Sequence, residues 1–156
     1  MSWTNPNAPN LADYTLFVAE VMGISTTVLP SNSPFLQYAL NRAINLVLDI
    51  PTVAGSDYTI AVYNCAGHIQ ITITPDVMVN GVSYAYFDGL RKEFDLLKPV
   101  NGVVATSSDQ GSSTTAAVPD GLKQLTIEDL GFMKTLWGRN YLQFQQSYGP
   151  SVWGLS

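Results

Sequence analysis

The segment from Asp57 to Thr74 decides which fold classes are open to this chain, because its residues carry two incompatible periods. Ile69, Ile71 and Ile73 alternate with Gln70, Thr72 and Thr74, the two-residue period of a strand with one buried face. Ile60, Tyr63, Gly67 and Ile71 repeat at three and four, the period of a helix. The second half taken alone leans to strand, yet the whole is long for a single strand. A strand here makes the chain α+β; a helix makes it mainly α.

The flanking segments are less divided. The first ten residues hold Asn5, Asn7, Asn10, Pro6 and Pro9 and read as an extended arm. Asn10 is a helix cap by type, and Asp13 three residues on suits the positive end of a helix. Leu11, Thr15, Val18 and Met22 share one helical face, and Gly23 is the expected stop, followed by an extended connector from Ile24 to Leu29. Ser33-Pro34 starts a second helix: a hydroxyl cap, then proline where its missing N–H costs nothing. Leu36, Leu40, Ala43 and Val47 line one side, with Phe35, Ala39 and Leu46 beside them, and Ile50-Pro51 is the expected end. A helix apolar over so much of its circumference is expected at the centre of a bundle.

Asn80-Gly81 predicts a turn, and Tyr84, Phe87, Leu90 and Phe94 an amphipathic helix from Ser83, closed by Pro99. Val100 to Gly121 contains SSDQGSSTTAA, a loop of a length that is usually functional or disordered. Thr126 to Asp129 resembles a capping box, and a last helix is predicted over Leu136 to Tyr148. The expected organisation is an extended arm over 1–10, a helical bundle over 11–148 with a long loop at 99–121, and an extended tail over 149–156. There is no internal repeat.

With 156 residues the chain is expected to form one domain, and its charged fraction of 12% is about half that of a typical soluble domain. So little charge implies a surface largely covered by partners. Residues 1–90 hold one base, Arg42, against Asp13, Glu20, Asp49, Asp57, Asp76 and Asp88, whereas acids and bases balance after residue 90. A net charge of −5 argues against a grip on nucleic acid through its phosphates, and would leave DNA free to slide past. The N-terminus lacks the pattern of a secretion signal, and the uncharged stretch between Glu20 and Arg42 is broken by Pro30 and Pro34, so no membrane span is expected.

Groups able to do chemistry are few. Cys65 is the single cysteine, which excludes an internal disulfide, and its apolar neighbours imply a buried thiol. His68 is the only histidine and has no ligand at a supportive spacing, so it reads as structural. Asp57 and Asp76 read as a cap and a turn residue rather than an acid–base pair. Arg91 and Asp95 are placed to pair along a solvated helix face. Gly102, Gly111 and Gly121 are too far apart for a phosphate loop, and the hydroxyls at Ser107-Ser108 and from Ser112 to Thr115 read as linker. No catalytic residue, metal ligand set or cofactor is expected.

The end of the chain is unusual. Tyr148-Gly149-Pro150 breaks the last helix, and Val152, Trp153 and Leu155 follow where a tail is usually polar. Two stretches, AVYNCAGHIQITITPD over Ala61 to Asp76 and the final Leu136 to Ser156, resemble the head-to-tail connector (adaptor) proteins of tailed bacteriophages. The resemblance implies a mainly α fold, a small helical bundle with a long extended loop and an extended C-terminal tail, and thus a helix over 57–74. The strand-like Ile69 to Thr74 departs from an ideal helix of that family. It further implies a virion protein, made in the host cytoplasm, that forms a homo-oligomeric ring, a dodecamer, at the head–tail junction. The portal protein would be met through Tyr148, Val152, Trp153 and Leu155. The loop carrying Val103 and Val104 would reach a neighbouring copy or the downstream tail protein, and DNA would pass through the ring without specific contact. Two alternatives are another virion tail component, such as a terminator or completion protein, and a soluble α+β binding module or small enzyme.

Overall fold

The disputed segment is a helix. The computed structural model describes residues 2–83, 85–98, 106–109, 112–115 and 127–148. Among these the chain is mainly helical, with six helices: α1 (Leu11–Glu20), α2 (Pro34–Leu46), α3 (Gly55–Ile73), α4 (Tyr86–Glu93), α5 (Ile127–Phe132) and α6 (Leu136–Tyr148). Two short hairpins join them. β1 (Met78–Val79) pairs with β2 (Val82–Ser83), and β3 (Thr106–Asp109) pairs antiparallel with β4 (Ser112–Thr115), Thr106 opposite Thr115.

The centre of the bundle is α3, flanked mainly by α2 and α6, and every residue from Ala61 to Ile71 is buried. This corrects the strand reading of Ile69 to Thr74, and with it the premise of an α+β fold. Alternation predicts that Gln70 and Thr74 face water, but both are buried, at 0% and 1% exposure. Gln70 gives a hydrogen bond to Thr74 Oγ1 and accepts one from the Tyr14 hydroxyl at 3.4 Å. A helix enclosed on all sides can hold any sequence whose polar atoms find partners, so alternation carries no signal here. The same finding displaces α2 from the expected central position: Leu36, Ala39, Leu40, Ala43 and Val47 are buried, whereas Gln37, Tyr38, Asn41 and Arg42 face outward.

Local start signals hold. Asn10 Oδ1 accepts the Asp13 N–H at 2.8 Å, and Ser33 Oγ accepts the Phe35 N–H at 3.4 Å. The Asn80-Gly81 turn has φ of 51° and 78°, the left-handed pair that a two-residue hairpin demands. Four boundaries differ from expectation. The first helix ends at Glu20, before Gly23, and buries Asp13, Tyr14, Phe17 and Val18, so its inward face is turned from the Leu11–Thr15 line. The second ends at Leu46, because Val47 is already extended while its N–H still bonds to the Ala43 carbonyl at 2.9 Å. The cap of α3 is Ala54 rather than Asp57, which sits in the first turn. In α4 the helix begins at Tyr86, since Ser83 belongs to the β1–β2 hairpin. Tyr84, Pro99 and Thr126 lie outside the described residues.

The arm over the first ten residues is seated on α1. The Trp3 ring packs edge-on to Phe17 with centroids 5.4 Å apart, and the Trp3 backbone N–H donates to Glu20 Oε2 at 2.9 Å. Thr4 donates through its N–H and its hydroxyl to Asp13 Oδ1, at 3.0 and 3.1 Å. Part of the stretch read as linker is a hairpin, since β3 and β4 pair with each other.

The α5–α6 corner tolerates little. A Cβ on Gly138 would run into the Phe132 backbone carbonyl, whereas Gly89 in α4 has open space around it. Gly138→Ala should therefore cost about 1–3 kcal/mol as overpacking against rigid backbone, and Gly89→Ala should gain about 0.5–1 kcal/mol. Urea unfolding of both variants checks the opposite signs.

Candidate functional site

Three features of the described residues hold groups capable of recognition or chemistry. The first is the joint between α3 and α6. His68 Nδ1 lies 2.8 Å from Thr135 Oγ1, and that same oxygen accepts the Gly138 N–H at 2.9 Å, which makes Thr135 the cap of α6. Phe132 lies against the imidazole, tilted by 36°, with centroids 4.4 Å apart. Burial pushes the His68 pKa down to about 4, so the ring is neutral at pH 7. The histidine is engaged in holding two helices together, the structural role its spacing predicted. Thr135 was not singled out in the sequence, although a Thr three residues before Gly138 is a readable cap signal.

The second is a groove along α2. A cavity of about 210 Å³ is lined by Tyr38, Arg42, Leu46, His68, Thr72 and Phe132, among others. It adjoins one of about 420 Å³ lined by Pro34, Phe35, Tyr38 and Ile73, and Tyr38 and Ile73 border both. One end is thus apolar, and the other offers a guanidinium, a hydroxyl and a neutral imidazole. Nothing in the sequence order joins these residues, because they come from three helices; only Arg42, the lone base before residue 90, stood out.

The third is a clasp at the end of α3. Asp76 Oδ1 and Oδ2 accept the Phe87 and Asp88 N–H groups at 2.7 and 3.1 Å, capping α4, whose own cap position, Ala85, offers no side-chain acceptor. Arg91 returns the contact: its Nη1 donates to the Ile71 and Thr74 carbonyls at 3.1 and 2.7 Å, and its Nη2 lies 4.0 Å from Asp76. Each helix end thus receives the charge its dipole favours. Asp76 is more than a turn residue, and Arg91 is committed here rather than to Asp95 on a solvated face. Asp95 pairs with Lys98 at 3.0 Å, and Lys92 with Asp88 at 2.7 Å.

Of the residues expected to bind partners, Tyr148 is at the end of α6, 47% exposed, with its ring 5.2 Å from that of Phe144. Val152, Trp153, Leu155, Val103 and Val104 lie outside the described residues. Cys65 is buried, as its neighbours implied. Other large apolar side chains stand open: Tyr38 at 56%, Leu48 at 55%, Met78 at 64%, Leu97 at 61% and Leu136 at 52%. Among the described residues no group of three His, Cys, Asp or Glu side chains could hold a metal, and no helix is long and apolar enough to cross a membrane. Comparison with protein-family models, curated proteins and solved structures finds no match.

Two measurements follow. Because the folded His68 pKa lies near 4 against 6.5 for a free histidine, the unfolded chain binds this proton first as pH falls. The neutral, buried ring then contributes its full stability above about pH 6.5 and loses roughly 3 kcal/mol by pH 4. In His68→Gln this part of the pH dependence of urea midpoints should vanish. Separately, Asp76→Ala leaves two α4 N–H groups uncapped and should cost about 1–2 kcal/mol, with Asp76→Asn intermediate, read by thermal unfolding.

Proposed function

We propose that this chain is a virion structural protein, a head-to-tail connector (adaptor) subunit of a tailed bacteriophage, rather than an enzyme. It would act as one copy in a dodecameric ring between portal and tail, with DNA passing through. The observation that carries the reading is a completed core with a weakly charged, apolar-studded exterior. Tyr38, Leu48, Met78, Leu97, Leu136 and Tyr148 remain open in a chain with only 12% charged residues. Where such side chains gather beside an apolar groove they serve assembly, and Tyr38 borders the groove lined by Pro34, Phe35 and Ile73.

Other features support the same reading. The excess of acids over bases before residue 90 would keep passing DNA from adhering. The β3–β4 hairpin is a two-stranded sheet with both outer edges free of a third described strand, and such edges accept strands from neighbours. That supports the loop as the contact to an adjacent copy or a downstream tail protein. Val152, Trp153 and Leu155 supply an aromatic anchor with flanking aliphatics for a portal pocket. The most direct test is the stoichiometry of this chain in purified virus particles by quantitative mass spectrometry. One copy per portal subunit is expected, and absence from particles sinks the reading. Trp153→Ala should weaken portal binding by about 30-fold, the equivalent of a hot-spot truncation, while the circular dichroism of the bundle is unchanged.

A further inference from the structure

The groove along α2 has a complement on the same molecule. Its polar end holds Arg42, which is exposed, makes no ion pair among the described residues and is the only Lys or Arg before Arg91. Its apolar end, about 420 Å³, is framed by Phe35, Tyr38 and Ile73. Such a surface suits a carboxylate with an aliphatic side chain beside it. Just after α2 the chain presents that pair: Leu48, 55% exposed, and Asp49, exposed and also without an ion pair among the described residues. Asp49 lies seven positions after Arg42, beyond the end of α2, and within one molecule they are not paired.

We propose that the α2 groove receives the Leu48-Asp49 connector of a second copy of this chain. Asp49 pairs with Arg42, and Leu48 enters the apolar end between Phe35, Tyr38 and Ile73. The distances are compatible. Arg42 and Tyr38 are one helical turn apart, about 6 Å, and one extended residue plus a leucine side chain covers that span. His68 at the groove wall is neutral, so Arg42 is the only charged side chain among the described residues that line the groove. When each copy gives its connector to the groove of the next, the contact is heterologous and runs from copy to copy, as a ring requires, whereas two copies exchanging connectors would stop at a pair. The inference rests on the ring reading above and names the surfaces that would build it.

The test is a charge swap in the full-length chain, with assembly followed by native mass spectrometry and sedimentation. Arg42→Glu and Asp49→Arg should each weaken self-association at least tenfold, since each sets like charges face to face. The double variant should recover association to within about threefold of the original, as a reciprocal ion pair does in a mutant cycle. Both positions are exposed, and unchanged helical circular dichroism excludes misfolding. Assembly that survives either single variant, or a double variant no better than the singles, overturns the contact and leaves the ring standing. A chain that stays monomeric at every concentration overturns the contact, and its absence from virus particles overturns the ring as well.

Discussion

Enclosure of α3 is the constraint on which the rest of the molecule depends. A helix buried along most of its length has little solvent for its polar groups, which need partners among neighbours. Four of its polar side chains find them on other elements, whereas the buried Thr59 hydroxyl has none among the described residues. Tyr63 shares hydrogen bonds of 3.2 Å with the backbone of Asn10, the cap of α1. Asn64 accepts from Asn140 on α6 at 3.2 Å, His68 meets the α6 cap Thr135, and Gln70 accepts from Tyr14 on α1. Apolar packing alone tolerates rotation and sliding of helices, whereas these directional bonds fix the azimuth of α3 against two partners at once. The short, well-capped helices around it are too brief to be stable alone and take their order from this packing.

The Asp76–Arg91 clasp extends that order past the end of α3. The last carbonyls of a helix and the first N–H groups of the next need partners, and one ionic pair serves both ends. It sets the position of α4, whose Phe87 is fully buried while the Lys92–Asp88 face remains in water. A second tie, Lys134 to the carbonyls of Asp95 and Lys98 at 2.7 and 2.9 Å, draws the turn after α4 toward the α5–α6 corner. Salt-bridge chemistry is concentrated at these joints, and the outer face of α2 is left with Arg42 as its only charge.

That distribution supports the proposed role in an assembly. The core consumes aromatics of α1 and α3, with Tyr14, Phe17 and Tyr63 in mutual ring contact, and has no place for Tyr38, Leu48 or Leu136. Leaving large apolar groups in water without a surrounding field of charge favours association over free diffusion.

Features governed by a few adjacent residues were legible in the sequence. The caps at Asn10 and Ser33, the Asn80-Gly81 turn, the inward face of α2 and the span of α6 all follow from backbone geometry and side chains within a turn of one another. Composition also exposed the shortage of charge and the apolar residues Val152, Trp153 and Leu155 on which the proposed function draws. The α2 groove was not legible, because Tyr38 and Arg42 become neighbours of Ile73 and Phe132 only when three helices meet. Nor were the ends of α2 and α4 or the partners of Arg91, since these are set by competition between distant groups for the same hydrogen bonds. Ile69 to Thr74 is the clearest case: its alternation is real, but burial of Gln70 and Thr74 together with Ile69 and Ile71 removes the difference between inward and outward that makes alternation mean strand. The sequence by itself determined where α1 and α2 begin and where the chain turns at Asn80-Gly81; the tertiary structure decided what lies at the centre, because only packing says which side chains have water beside them.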